Sequence, residues 1–297
     1  MSKAHYDIVA ACWTSGGDCA PLPGIEVSPV PLEERISASA EAGFTGFGIV
    51  AHDLRAYLAA GGSFSDLRHV LERHDVTTVE LEFLVDWWLP DPERVESDEV
   101  LDLLLRAAGE LGARDVKIGP DIDGGAFDID RSAAGLHRVA DAFARHGTMV
   151  AMEFMPFSNI PTLAAGLDVV RAADHPNAGL MVDIWHLVRA GDTVEDLAKV
   201  PIELVMGVEL NDAPAEQVGS GYEDTVLRRR LCGEGDFPVV PFIETLVGMG
   251  WNGPWGLEII NEQYRTRPIR EALRDAFDTT YAALEAALPN PTNQKDD

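Results

Sequence analysis

The chain has 297 residues, with Lys+Arg 23 against Asp+Glu 50 and a formal net charge of −27. So acidic a surface repels phosphate backbones, and the lysines (Lys3, Lys117, Lys199, Lys295) are too few for a polybasic membrane patch. A nucleic-acid partner and a membrane surface are therefore excluded, and a small-molecule substrate is expected.

Hydrophobic residues at 46 % and charged residues at 25 % make an ordinary globular mixture that can bury a full core. Cys12, Cys19 and Cys232 are too scattered for a disulfide framework. The opening MSKAHYDIVAACW has no long apolar run behind a basic start, so no signal peptide is expected. No run of ~18 apolar residues suggests a membrane span, and a cytoplasmic location is expected.

Short β-rich runs alternate with helical periodicity along the chain. Strands are expected near 7–13, 46–51, 78–83, 115–119, 148–154, 179–184, 204–210 and 255–260, and helices over 32–42, 64–74, 96–111, 131–146, 161–173, 193–199, 238–249 and 268–287. Gly43, Gly112, Gly147 and Gly250 stand where left-handed helix caps are needed. The longest interval, between the seventh and eighth strands, is read as a loop over 211–237. Eight βα units predict a single (β/α)₈ TIM barrel over 1–288, with a flexible C-terminal tail over 289–297. A doubly wound open sheet is the rival, but residues 14–19 (Thr-Ser-Gly-Gly-Asp-Cys) lack the Gly-rich phosphate loop that would announce it.

Alternation along each strand then assigns side chains to faces. Val150, Met152 and Phe154 suit the helix side of the fifth strand, which turns Ala151 and Glu153 inward. By the same rule Met181 and Asp183, Glu209 and Asn211, and Glu258 point toward the axis on the sixth, seventh and eighth strands. Glu80 and Glu82 on the third strand and Lys117 on the fourth join them. Glu153, Asp183, Glu209 and Glu258 thus converge at the C-terminal ends of four consecutive strands, where barrel enzymes hold their chemistry. Buried acids at close quarters need a counter-charge. Lys117 alone cannot neutralise four, so a divalent cation is expected, with Mn²⁺ or Mg²⁺ suiting carboxylate ligands best and Co²⁺ or Zn²⁺ as alternatives. The competing reading is a structural network in which arginines and backbone donors satisfy these acids.

His186, three residues after Asp183, is a candidate proton donor, substrate-hydroxyl ligand or support for the metal ligands. Trp13, Trp87, Trp88 and Trp185 fall near strand ends and offer walls for a sugar-sized pocket, against the alternative that they are core. In the triplet Arg228-Arg229-Arg230, one guanidinium could anchor a substrate oxygen, although a solvated surface is the plainer reading.

The motifs AlaMetGluPhe (151–154), ValAspIleTrpHis (182–186), ValGluLeuAsn (208–211), ArgArgLeuCysGlyGluGlyAsp (229–236) and GlyLeuGlu (256–258) resemble those of the xylose isomerase-like barrels. That superfamily of sugar phosphate isomerases and epimerases includes ketose 3-epimerases, inosose dehydratases, dehydroshikimate dehydratases and apurinic endonucleases. The resemblance implies metal ligands at Glu153, Asp183 and Glu258, with Glu209 in a fourth position where many relatives carry His or Gln. It also implies substrate contacts at His186 and Arg229, and a homodimer or homotetramer. The endonuclease branch needs further His ligands on the early strands, where only His52 is available, so DNA repair is rejected. Lys117, Glu82, Arg229, His52, Trp13 and Asn211 are the expected substrate-binding residues. The expected activity is a metal-dependent isomerase or epimerase of a sugar, sugar phosphate or cyclitol ketone. It would run through a metal-stabilised enediolate, with Glu153, Glu258 and His186 as catalytic residues. The alternatives are a dehydratase of the inosose or dehydroshikimate type, with His186 or Lys117 assisting the leaving group, and a non-catalytic sugar-binding barrel.

Overall fold

The computed structural model describes residues 6–288; the tail expected over 289–297 lies outside the described residues. In chain order the elements are β1 (Ile8–Ala10), α1 (Cys12–Ser15), α2 (Leu32–Ala42), β2 (Gly46–Val50), α3 (Ala51–Ala59), α4 (Phe64–Arg73) and β3 (Thr78–Leu84). They continue with α5 (Val95–Leu111), β4 (Asp115–Ile118), α6 (Ile129–Ala144), β5 (Met149–Glu153), α7 (Leu163–Ala173) and β6 (Ala178–Asp183). The last are α8 (Ile184–Arg189), α9 (Val194–Leu197), β7 (Val205–Leu210), α10 (Gly221–Leu227), α11 (Val239–Met249), β8 (Trp255–Leu257) and α12 (Ile269–Ala287). The eight strands pair in parallel, in chain order, and β1 closes on β8. This is the (β/α)₈ barrel expected from the sequence, and the open sheet is excluded.

The alternation of side chains divides the apolar residues into two sets. Val150 and Met152 of β5 and Phe154 just beyond it, with Leu180 and Val182 of β6 and Val208 and Leu210 of β7, belong to the main core between sheet and helices. Ala151, Met181 and Met206 form a separate small cluster with Met149 packed against it, filling the barrel interior. The β6–β7 register slips between Leu180 and Met181, where Met181 pairs with Gly207 rather than Met206. Beyond the slip, Glu209 aligns with Asp183, so both acids share the inward face. Burial of the main core supplies the dominant stabilisation, at ~25 cal/mol per Å² of apolar surface removed from water.

The left-handed caps are present: Gly43, Gly112 and Gly250 end α2, α5 and α11 at positive φ, and Gly147 at φ 72° turns the chain just past α6. Several boundaries differ from the reading by pattern. The first strand stops at Ala10, because residues 12–15 coil into α1. The buried Arg35 clamps that turn from α2, donating to Cys12 O (2.9 Å) and Ser15 Oγ (3.1 Å) while pairing with Asp53. Helices α3, α8 and α10 were not expected. α10 sits inside the presumed loop over 211–237 and is opened by a capping box, with the Ser220 hydroxyl accepting from Glu223 N and the Glu223 carboxylate accepting from Ser220 N.

Candidate metal centre and active site

Four carboxylates come together at the C-terminal mouth of the barrel. Glu153 ends β5, Asp183 ends β6 and Glu209 lies in β7, while Glu258 follows β8 by one residue. One oxygen from each falls within 4.8 Å of all the others, and all four residues are buried. Glu258 is held outside the regular strand by its neighbours: its N–H donates to Leu210 O, and Thr14 Oγ1 bridges Leu257 O (2.6 Å) and Ile259 N (2.8 Å). Gly256, two residues earlier, must be small, since a Cβ there would stand 2.6 Å from Val208 O and 3.1 Å from Glu209 Cγ.

Two buried cations are built into the cluster. Lys117 Nζ sits 2.6 Å from Glu209 Oε1, 2.8 Å from Glu82 Oε2 and 3.5 Å from Glu258 Oε1. Burial would depress its pKa, but these three acids outweigh burial and hold it well above the usual lysine range. Arg229 Nη1 binds Asp183 Oδ2 (2.5 Å) and Glu258 Oε2 (2.9 Å), its Nε and Nη2 donate to Thr225 Oγ1, and its guanidinium lies over the Trp185 ring. Asp183 also accepts from Trp185 N and from Asn211 Nδ2. Burial alone would raise its pKa, yet Arg229, His186 and these donors bring it below the usual value. Glu209 is pushed well above the usual range by burial and by Glu258. Glu258 rises to about 7, chiefly through burial, against the pull of Lys117 and Arg229.

The donor set fits a divalent cation. Fully ionised, Glu82, Glu153, Asp183, Glu209 and Glu258 would carry five negative charges against the two of Lys117 and Arg229, an imbalance of −3 that the raised pKa values of Glu209 and Glu258 express. Moreover, Glu153 Oε1 and Glu209 Oε2 are buried without a hydrogen-bond partner, an expensive arrangement for bare carboxylates. A doubly charged ion would reduce the imbalance to −1 and engage both oxygens, and an all-oxygen set suits hard or borderline ions. His186 adds a nitrogen: its Nε2 stands 3.2 Å from Glu153 Oε1, and Glu153, Asp183 and His186 form a second close group.

A cavity of about 190 Å³ opens above the cluster, lined by Glu82, Glu153, His186, Thr225, Arg229 and Glu258 on its polar side. Among the expected substrate-binding residues, Glu82, Arg229 and Trp13 reach this cavity. Glu82 is fixed by Cys12 N at 3.0 Å, a contact that Gly48 permits because a Cβ there would crowd both partners. The remaining three do not line it. Lys117, 1 % exposed, sits among its three carboxylates, and Asn211 is turned onto Asp183. His52 is an exposed residue of α3. Arg229 touches the cavity, but its donors are already engaged by Asp183, Glu258 and Thr225, so it neutralises the acids rather than offering a free guanidinium.

The tryptophan wall is also different from expectation. Trp87 is core, donating from Nε1 to Gly119 O, and Trp185 is buried beneath Arg229. Phe83, Phe157 and Tyr222 take the place assigned to them. Tyr222 comes from α10, whose Ser220-x-x-Glu223 signature was readable in the sequence; Phe157 carried no comparable signal.

Sequence comparison adds relatives of known activity. The chain is 27 % identical over 248 residues to a 3-dehydroshikimate dehydratase of Pseudomonas aeruginosa, covering 80 % of this chain and 38 % of that protein. It is 26 % identical over 156 residues to an inosose isomerase of Halalkalibacterium halodurans, covering 52 % and 54 % of the two chains. It therefore spans well under two thirds of either relative's length. Among solved structures, the IOLI protein with a bound zinc atom shares the fold at TM-score 0.82 and 17 % identity, over 96 % of this chain and 100 % of that one. A family model for the xylose isomerase-like TIM barrel matches residues 36–281, and the chain belongs to that family.

Proposed function

We propose that this barrel is a divalent-metal-dependent isomerase or epimerase of a polyhydroxy carbonyl compound, moving a proton at the carbon next to the carbonyl. The observation that carries this reading is the convergence of four buried carboxylate oxygens within 4.8 Å, two of the acids also lining the cavity. Glu153, Asp183, Glu209 and Glu258 would hold the ion. When bound, it supplies Lewis-acid polarisation of the substrate carbonyl and adjacent hydroxyl. Glu153 and Glu258 face the cavity from β5 and from the end of β8, as a pair exchanging a proton on one substrate carbon requires. Glu258, with a pKa of about 7, sits where a group can both give and take a proton at neutral pH. Asp183 and Arg229 are locked to each other and act as fixed charge. His186 lines the cavity beside Glu153, its Nε2 3.2 Å from Glu153 Oε1, and is the candidate to pass a proton to or from a substrate oxygen.

A second reading, dehydration by loss of a β-hydroxyl after the same proton abstraction, is favoured by the greater reach of the dehydratase match along this chain. There His186 is the candidate acid for the departing hydroxyl, since Lys117 is fully engaged. One experiment addresses both readings: incubate metal-loaded and chelator-stripped protein with ketoses, inososes and dehydroshikimate in deuterated water, then weigh the products. Metal-dependent deuterium uptake without loss of water supports the isomerase, and loss of water supports the dehydratase. Exchange that persists unchanged after stripping refutes both.

A further inference from the structure

The polar groups of the cavity occupy one side only. Of the seventeen lining residues, Glu82, Glu153, His186, Thr225, Arg229 and Glu258 face the carboxylate cluster, and the other eleven are apolar or aromatic. A sugar or cyclitol presents hydroxyls around its whole circumference, and each hydroxyl buried against an apolar wall without a partner is unfavourable. The one hydroxyl in that wall is turned away, because Tyr222 Oη donates to Pro21 O. Phe157 lies between Tyr222, Trp185 and His186, at ring separations of 5.7, 6.3 and 6.0 Å, which fixes an aromatic surface beside the polar floor.

The outer wall has the same character. Val85 and Ile122, on the loops after β3 and β4, line the cavity while remaining 43 % and 45 % exposed. Nor is there a seat for a phosphate. Arg229 is the sole Lys or Arg among the lining residues, and its donors are engaged by Asp183, Glu258 and Thr225. Five acids surround the floor, which would repel a second anion.

From these observations we infer that the substrate carries an uncharged apolar group, of aromatic shape, beyond its hydroxy carbonyl head, and is not phosphorylated. The head meets the carboxylate floor and the apolar end rests on Phe157, Tyr222, Val85 and Ile122. This deepens the proposed function and rests on it for the placement of the head.

Three probes share an α-hydroxy ketone head and differ in the tail: dihydroxyacetone, dihydroxyacetone phosphate and 2-hydroxyacetophenone. Calorimetric titration of the metal-loaded protein should show 2-hydroxyacetophenone binding at least tenfold tighter than dihydroxyacetone, with the phosphate no tighter than the parent. Val85→Ser combined with Ile122→Asn should reduce the phenyl preference at least threefold. A preference below twofold, or tightest binding by the phosphate, overturns the inference. So does a double variant that keeps the full preference while changing the oligomeric state, which would make this lip a contact between copies. Solvent deuterium exchange in the same probes separates the two readings. Exchange without phenyl preference defeats the tail assignment alone, and phenyl preference without exchange in any probe defeats the enzymatic reading instead.

Discussion

Replacing Glu209 by Gln distinguishes a metal ligand from a mere ion-pair partner of Lys117. In the protein stripped of metal, the substitution removes repulsion from three carboxylates within 4.8 Å and loses one attraction, to Lys117 at 2.6 Å. At an effective dielectric of 20, each repulsion is worth about 3.5 kcal/mol and the attraction about 6 kcal/mol, so the balance favours removal by about 4 kcal/mol. The raised pKa of Glu209 means that a proton already relieves part of this, leaving an expected gain of about 1–2 kcal/mol, or about 2–4 °C in Tm. With metal the sign reverses, because an anionic ligand has been lost: affinity should fall at least ~10-fold, the lower end of what even indirect perturbations of metal sites produce. The assay is a thermal melt in chelator and in Mn²⁺, with calorimetric titration of the ion. If the variant melts lower in chelator and binds Mn²⁺ as tightly as the parent, Glu209 serves Lys117 alone and the four-acid metal site is wrong.

Lys117→Met should destabilise the fold by about 3–5 kcal/mol in urea titration, since it leaves Glu82, Glu209 and Glu258 without their buried cation; a loss below ~1 kcal/mol would refute the neutralising role. His186→Gln should lower turnover ~10²–10⁴-fold while metal content per chain is retained, and an unchanged rate would remove His186 from proton transfer. Glu80 gives a pH signature: burial, then Asp115, raises it from 4.5 to about 8, so the native state holds its proton more tightly than the unfolded chain. That contribution is complete below pH 4.5 and is lost as pH rises through about 8. Thermal melts should therefore show stability declining from pH 6 to 9, and Glu80→Gln should flatten the curve; parallel curves for the two proteins would contradict it.

What the sequence revealed depended on whether a residue's position follows from local alternation. Glu153, Asp183 and Glu209 lie in or at the end of regular strands, so parity with Val150, Val182 and Val208 located them. Glu258 follows the same parity, although it stands beyond β8, because its N–H still bonds Leu210 O of β7 and Thr14 bridges the residues on either side of it. Arg229 was legible as a candidate but not in its role, because its two acid partners come from β6 and the segment after β8, far from it in sequence. Lys117 was correctly turned inward by parity. That it stays below the cavity reflects the depth of its position in β4, which alternation does not encode. α3 begins at Ala51, directly after the last residue of β2, Val50, with no Gly or Pro between them, so no local punctuation separated strand from helix.

The fixed cations also make the four acids unequal. Arg229 holds Asp183 and Glu258, and Lys117 holds Glu209 and Glu258, so Glu153 alone lacks a buried lysine or arginine among the described residues. It lines the cavity, its Oε1 makes no hydrogen bond, and the nearest potential donor is His186 Nε2 at 3.2 Å. In the proposed function this makes Glu153, with the fewest competing claims on its lone pairs, the candidate for taking the substrate proton. Glu258, tied to two cations yet lifted to about 7 chiefly by burial, is on the same proposal the candidate to return it. On that proposal the division of labour between Glu153 and Glu258 follows from the placement of Lys117 and Arg229, two residues that the chemistry never requires to touch the reacting carbon.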